Sequence, residues 1–232
     1  MNFPLALYNR QRPSRFLSAA SPFIAGMGKD PMHSMYVFIV EPLLTLRGWG
    51  ELGVKMTPLI LCALGLLVCY RANVWNIGAE GQLIVGALAG GVVALQVSPE
   101  ASQLYMIWVI LAAMVGGALY AGIVAWLKDK CNANEILVSL MLVYIAELFL
   151  SWAVQSPLRD PQGLGFPQSP MFETAATLPI MIPGTRMHWG GALVCFALFG
   201  IWLIMSKMFI GFQVRVSGMA PKAAAYAGFS NR

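Results

Sequence analysis

The stretch LYMIWVILAAMVGGALYAGIVAWL, Leu104 to Leu127, carries no charged side chain and is apolar on every face. A half-buried strand alternates apolar with polar residues, and this run does not. At about 1.5 Å per residue, a helix of this length crosses the ~30 Å hydrocarbon core of a bilayer. Pro58 to Tyr70 and Leu83 to Val97 have the same character. Hydrocarbon offers the backbone no hydrogen-bond partner, so such runs must satisfy their own N–H and C=O groups as helices. The fold class that follows is all-α, a polytopic transmembrane helical bundle. Composition agrees, since 58% of the 232 residues are hydrophobic and only 11% are charged. That is too little ionic surface to wet a globule of this size.

Working outward, four or five segments qualify as spans, the clearest being roughly Met56 to Tyr70, Val74 to Leu95, Leu104 to Leu127, Ile136 to Gln155 and Gly190 to Met208. Pro58 suits the first turn of the first segment, where its missing N–H is harmless. Phe16 to Met27 is apolar but short, and it contains Pro22 and Gly26. Arg10, Arg12 and Arg15 precede it like a signal-peptide n-region, yet no A-x-A site follows. The segment reads as a defective or re-entrant first helix anchored inside.

The net charge of +5 is decided by placement. One alternation puts Arg10, Arg12, Arg15, Arg71, Lys128, Lys130, Lys207, Arg215, Lys222 and Arg232 on one side, and Lys29, Arg47, Lys55, Arg159 and Arg186 on the other. The richer side is cytoplasmic by the positive-inside rule, which places the N-terminus inside. Basic residues confined to short connections do not make a nucleic-acid face. The outside segments are then 28–55, 96–103 and 156–189, the last rich in Pro and Gly and therefore turn-rich. The chain divides into 1–55, a basic arm with a short apolar segment and an extracytoplasmic helix; 56–208, the membrane domain; and 209–232, a cytoplasmic segment.

Three clusters interrupt the apolar pattern. Asn73-Val74-Trp75-Asn76-Ile77-Gly78-Ala79-Glu80-Gly81-Gln82 puts amides and a carboxylate at the start of a membrane segment. A charge there costs about 2.5–3.5 kcal/mol at mid-membrane and less near an interface, so a partner or a cavity is implied. On a helix, Asn76 and Glu80 share a face while Gln82 points away, and Gly78 and Gly81 permit unwound backbone beside a solute. A packing motif with Glu80 bonded to a neighbouring helix fits equally. Gly86 with Gly90, and Gly117 with Ala121, read as helix-contact surfaces. In the second cluster, Asn132 and Glu135 have capping-box spacing. Beyond them Ser139, Tyr144, Glu147 and Ser151 break an apolar helix, with Glu147 expected to turn toward protein. The third is the tail Gly211-Phe212-Gln213-Val214-Arg215 through Gly218 to Gly228. It reads as a basic segment and then a short Ala-rich helix opened by Pro221 and closed by Gly228. A helix lying on anionic lipid also fits Arg215 and Lys222.

Cys62, Cys69 and Cys195 lie inside apolar runs and Cys131 in a basic loop, which argues against a disulfide framework or a metal cluster. No Walker A, GxSxG or HExxH pattern is present. Catalytic residues, metal ligands and cofactors are therefore not expected. If the chain moves a solute uphill by ATP, another subunit hydrolyses it. An ion-coupled transporter using Glu80 or Glu147 as proton carrier is the competing reading.

The three clusters in this order resemble the permease subunits of ABC importers for nucleosides and simple sugars. Trp75 to Gln82 resembles the opening of one family helix, and Asn134-Glu135-Ile136 to Tyr144-Ile145-Ala146 that of another. The likeness continues through Gly184-Thr185-Arg186 to the tail and covers roughly 42–232. The resemblance favours the nucleoside-type branch, since ribose-type permeases carry an aspartate-containing signature at Asn76 to Gln82. It implies a bacterial inner-membrane protein working with cytoplasmic ATPase subunits, a second permease subunit and an extracytoplasmic solute-binding protein, in contact with membrane lipid and not with nucleic acid. It implies a substrate pathway at Asn76, Glu80, Gln82 and Glu147. It also implies ATPase coupling through Arg215, Gly218, Ala223, Ala224, Tyr226, Ala227 and Gly228. Against the family pattern, with its full first span and further helices after the coupling segment, the chain reads as a truncated copy.

Overall fold

The computed structural model describes residues 21–22, 24–163 and 165–229. Half of Phe16 to Met27 lies outside them. The described chain is helical, with α1 at Pro31–Ile39, α2 at Glu41–Leu44, α3 at Leu46–Arg71, α4 at Ala79–Ala94 and α5 at Tyr105–Cys131. There follow α6 at Glu135–Gln155, a 3₁₀ turn at Thr174–Ala176, α7 at Gly190–Lys207, α8 at Phe209–Met219 and α9 at Pro221–Tyr226. By length and composition α3, α5, α6 and α7 are able to cross a membrane. The helical bundle expected from the all-face apolar runs is what forms.

Two compact units divide these elements. The first holds residues up to Val54 together with Ile182–Met187. Here Asp30 caps α1 by accepting from the Met32 N–H at 3.0 Å. The Trp49 indole donates to the Leu43 carbonyl at 2.9 Å, and Arg186 pairs with Glu51 at 3.6 Å. A Cβ on Gly50 would lie 2.6 Å from the Thr185 Cβ, so only glycine lets these chains meet.

The second unit, Lys55–Met181 and His188 onward, contains the main bundle. Its centre is α4, which packs on α5 and α6 through glycine. Gly86 faces Ala113 and Gly117, while Gly90 faces Val109 and Ala113, so α4 and α5 are antiparallel. Gly78 meets Ser139, and Gly81 meets Val143 and Ala146, so α4 and α6 run the same way. Close backbone approach is how helices associate where lipid removes any hydrophobic drive between them. The expected contact role of Gly86, Gly90 and Gly117 is therefore observed, and Gly116 joins them with its Cβ position 2.6 Å from that of Ala89. The 156–189 loop is irregular as expected. It is pinned where Ala175 and Ala176 of the 3₁₀ turn bury against Ala94 and Val97.

Three local expectations are corrected. Helix α3 begins ten residues before Met56, so Pro58 stands in its interior and not in its first turn. One ladder donor is missing there, and the surrounding helix-compatible residues carry the helix through. The second segment is helical only from Ala79 to Ala94, not from Val74. The capping pair is also different, because Asn134 and not Asn132 caps α6. Asn134 accepts from the Ile136 and Leu137 N–H groups at 3.0 and 3.4 Å. Asn132 instead closes α5 in the left-handed region, at φ 50° and ψ 34°. That conformation costs most residues about 1–2 kcal/mol and suits Asn or Gly. Asn132→Val should therefore lower stability by about that amount, and Asn132→Gly should be neutral, as read by thermal unfolding in detergent.

Candidate functional site

Val74 to Gly78, between α3 and α4, is non-helical, and side chains take up the N–H groups of Ile77 and Gly78. The Ile77 N–H donates to Ser139 Oγ at 3.2 Å, and the Ser139 hydroxyl in turn donates to the Ile136 carbonyl at 3.1 Å. The Gly78 N–H donates to Asn76 Oδ1 at 2.9 Å, closing an Asx turn. Any side chain at Gly78 would press on Ser139, with a Cβ 3.0 Å from the serine Cβ. Ser139 is fully buried. A break of this kind is tolerated at membrane depth only where protein or a cavity satisfies the backbone.

Asn76 does not share a helical face with Glu80. Its amide meets that of Gln82 reciprocally: Asn76 Nδ2 donates to Gln82 Oε1 and Gln82 Nε2 donates to Asn76 Oδ1, each at 3.3 Å. The Cys69 thiol lies beside the same asparagine. Glu80 stands exposed in the first turn of α4, where the helix dipole favours a negative charge. The structure thus joins two of the four expected pathway residues and leaves Glu80 beside them.

Glu147, on α6, was expected to face protein but is exposed on this chain, one position beyond the fully buried Ala146. Among the described residues it has no hydrogen-bond or ion-pair partner within the chain. At the start of the same helix Glu135 holds Lys128 at 2.8 Å, and the Trp75 N–H faces that carboxylate. The loop between α5 and α6 is thereby tied to the non-helical segment. Sequence reasoning passed over Ser139 as one of several polar interruptions. Its signal, a small hydroxyl in the first turns of an otherwise apolar helix, was present but ambiguous.

The tail forms the second candidate region. Gly218 sits against the Arg71 carbonyl and the Ala72 backbone, so α8 lies on the end of α3 without a side chain between them. Arg215, half-buried, donates from Nε to the Gly211 carbonyl at 3.2 Å. Helix α9 starts at Pro221, and Gly228 follows at φ 79°, matching the expected opening and closing residues. Phe229 packs edge-on against Phe209 and Phe212, at centroid distances of 5.8 and 6.2 Å, folding the tail back on α8. In consequence Ala224 is fully buried inside the chain, whereas Ala223, Ala227 and Gly228 are exposed and Tyr226 is 95% exposed. The expected coupling residues therefore divide into one that supports the helix and several that present a surface.

Comparison with known proteins follows this geometry. The family model described as branched-chain amino acid transport system / permease component matches residues 51–232. The glucose ABC transporter permease protein TsgB13 of Haloferax volcanii is 38% identical over 224 residues, covering 92% of this chain and 58% of the relative. The guanosine ABC transporter permease protein NupP of Bacillus subtilis is 29% identical over 187 residues, 79% of this chain and 53% of the relative. The nucleoside ABC transporter permease protein NupB of Lactococcus lactis is 27% identical over 223 residues, 93% and 61% respectively. The chain thus spans somewhat more than half the length of these relatives. No solved structure matches. With the family match covering the broken helix, the glycine-packed bundle and the tail together, the chain belongs to the branched-chain amino acid transport system / permease component family.

Proposed function

We propose that this chain forms the transmembrane pathway of an ATP-driven importer that carries nucleosides or simple sugars into the cytoplasm. The observation that carries the reading is the match of most of the chain to permease proteins named for glucose, guanosine and nucleosides. Residues 56–208 serve as the membrane domain and 209–232 as the coupling segment, with the N-terminus in the cytoplasm of a bacterial inner membrane. Cytoplasmic ATPase subunits drive it, a second permease subunit completes the pathway, and an extracytoplasmic binding protein delivers solute.

Within that reading the non-helical Val74 to Gly78 segment lines the route, with Asn76, Gln82, Glu80 and Glu147 as its polar groups. Amides suit sugar and base hydroxyls and ring nitrogens because each offers both a donor and an acceptor. Tyr226 is the foremost ATPase contact, a large amphipathic ring standing free beside Ala223, Ala227 and Gly228. Interface anchors are often of this type. Tyr226→Ala should reduce ATP-driven uptake about tenfold or more, equivalent to ~1.4 kcal/mol or more of lost docking, with unchanged protein in the membrane. The direct test is uptake of labelled uridine, adenosine and ribose by cells expressing the intact operon, with each used to compete against the others. Uptake that survives ATP depletion and collapses with the proton gradient would overturn the proposal.

A further inference from the structure

The end of the bundle where α3, α5 and α7 finish gathers Arg71, Lys128, Lys130 and Lys207, and α8 adds Arg215. Between α3 and α7 at that end lies a crevice of about 390 Å³. Its walls are Leu64 and Leu67 of α3 and Ile201 and Trp202 of α7, and Arg71 and Arg215 stand together at its mouth. A second hollow of about 290 Å³ continues past the same two arginines. No acidic residue lines either space. Among the described residues neither guanidinium has a carboxylate partner, and Arg215 gives only its Nε to the Gly211 carbonyl.

Two unneutralised guanidinium groups side by side repel each other and call for an anion. Guanidinium forks match phosphate oxygens in pairs, which a single ammonium does not. The remainder of the space is hydrocarbon in character and continues along two membrane-length helices, so the anion must carry an apolar tail. A free phosphate or nucleotide would leave the leucine and tryptophan walls empty. Basic hollows between spanning helices at the cytoplasmic side are suited to anionic headgroups. We propose that this crevice is a binding site for an anionic phospholipid of the inner leaflet, its phosphate held by Arg71 and Arg215 and one acyl chain laid between α3 and α7. The proposal does not depend on which solute is carried.

Gly218 gives the site a structural setting. Because α8 rests by this glycine on the Arg71 carbonyl, the same contact that seats the tail brings Arg215 to Arg71. A bound lipid would therefore hold α8 against α3.

The test uses the full-length protein in mixed vesicles with a photoreactive phosphatidylglycerol. Labelling should fall on α3 and α7 peptides, and unlabelled phosphatidylglycerol should compete at least tenfold better than phosphatidylcholine. In the combined R71Q/R215Q variant labelling should drop at least fivefold, while K130A, which removes a charge at the same end, should leave it unchanged. Equal competition by the two lipids on the unaltered protein overturns the proposal, whether or not the variants fold. So does undiminished labelling in R71Q/R215Q. A photoreactive side chain at position 201 that couples to protein, either another segment of this chain or a second copy, assigns the crevice to that occupant instead.

Discussion

Gly86→Leu should be among the most damaging single changes in the bundle, lowering the thermal midpoint in detergent by roughly 2–12 °C. A Cβ at this position would already lie 2.9 Å from the Ala113 carbonyl oxygen and 3.6 Å from the Gly117 backbone. The obstacle is main chain, which no rotamer change moves, so α4 and α5 must separate along their shared length. Overpacking of this kind costs about 1–3 kcal/mol and sometimes more. In a chain of this size each kcal/mol shifts the midpoint by roughly 2–4 °C. Gly122→Leu supplies the comparison, because nothing lies within 4 Å of the Cβ position at Gly122 on the same α5. That variant should match the parent or improve on it, since leucine is the better helix former by about 0.8 kcal/mol. Equal midpoints for the two variants would refute glycine packing as the reason for the α4–α5 contact.

The second large effect is expected at the amide pair. Asn76→Leu removes the acceptor for the Gly78 N–H and both partners of the Gln82 amide in one step. Leaving a buried polar group unmatched costs about 1–3 kcal/mol, and more than one group is affected here. Gln82→Leu strips fewer bonds and should cost less. The two changes together should cost less than the sum of the singles, with a coupling of about 0.5–3 kcal/mol in the double-mutant cycle. Uptake in cells should fall at least tenfold in Asn76→Leu, because the freed Gly78 N–H favours continuing α4 toward Val74 and closing the non-helical segment. Strict additivity of the two substitutions would show that the amides do not act as a pair.

The parts of this fold that were legible in the sequence are those written in local, repeated patterns. All-face apolar runs announce spanning helices whatever their neighbours are. Glycines four apart announce close approach even when the opposite helix is unknown. The non-helical segment was illegible because the residues that create it are read only in three dimensions. Asn76 and Gln82 are six apart, a spacing that puts them on different faces of a continuous helix, and they meet only because the helix starts at Ala79. Ser139 completes the break from 62 residues away. The Asn132-Ala133-Asn134 triplet offers two asparagines for two capping roles, and the pattern cannot say which residue turns left-handed. The resemblance offered Ala224 with its neighbours as a coupling residue, and a small side chain suits a chain's own interior equally well. The fold of Phe229 onto Phe209 decides for the interior.

The seating of Gly218 on the Arg71–Ala72 backbone has a mechanical meaning. Ala72 is two residues from Val74, where the non-helical segment begins, so the tail bears on the chain directly beside that segment. Side chains between helices act as cushions, since they change rotamer and absorb an ångström of travel. Here main chain bears on main chain, and there is nothing to compress. A force that tilts α8 is handed to the Arg71–Ala72 peptide undiminished and then, through covalent bonds alone, to Asn76. The missing side chain at position 218 thus makes a stiff coupling from a contact that any larger residue would soften or break.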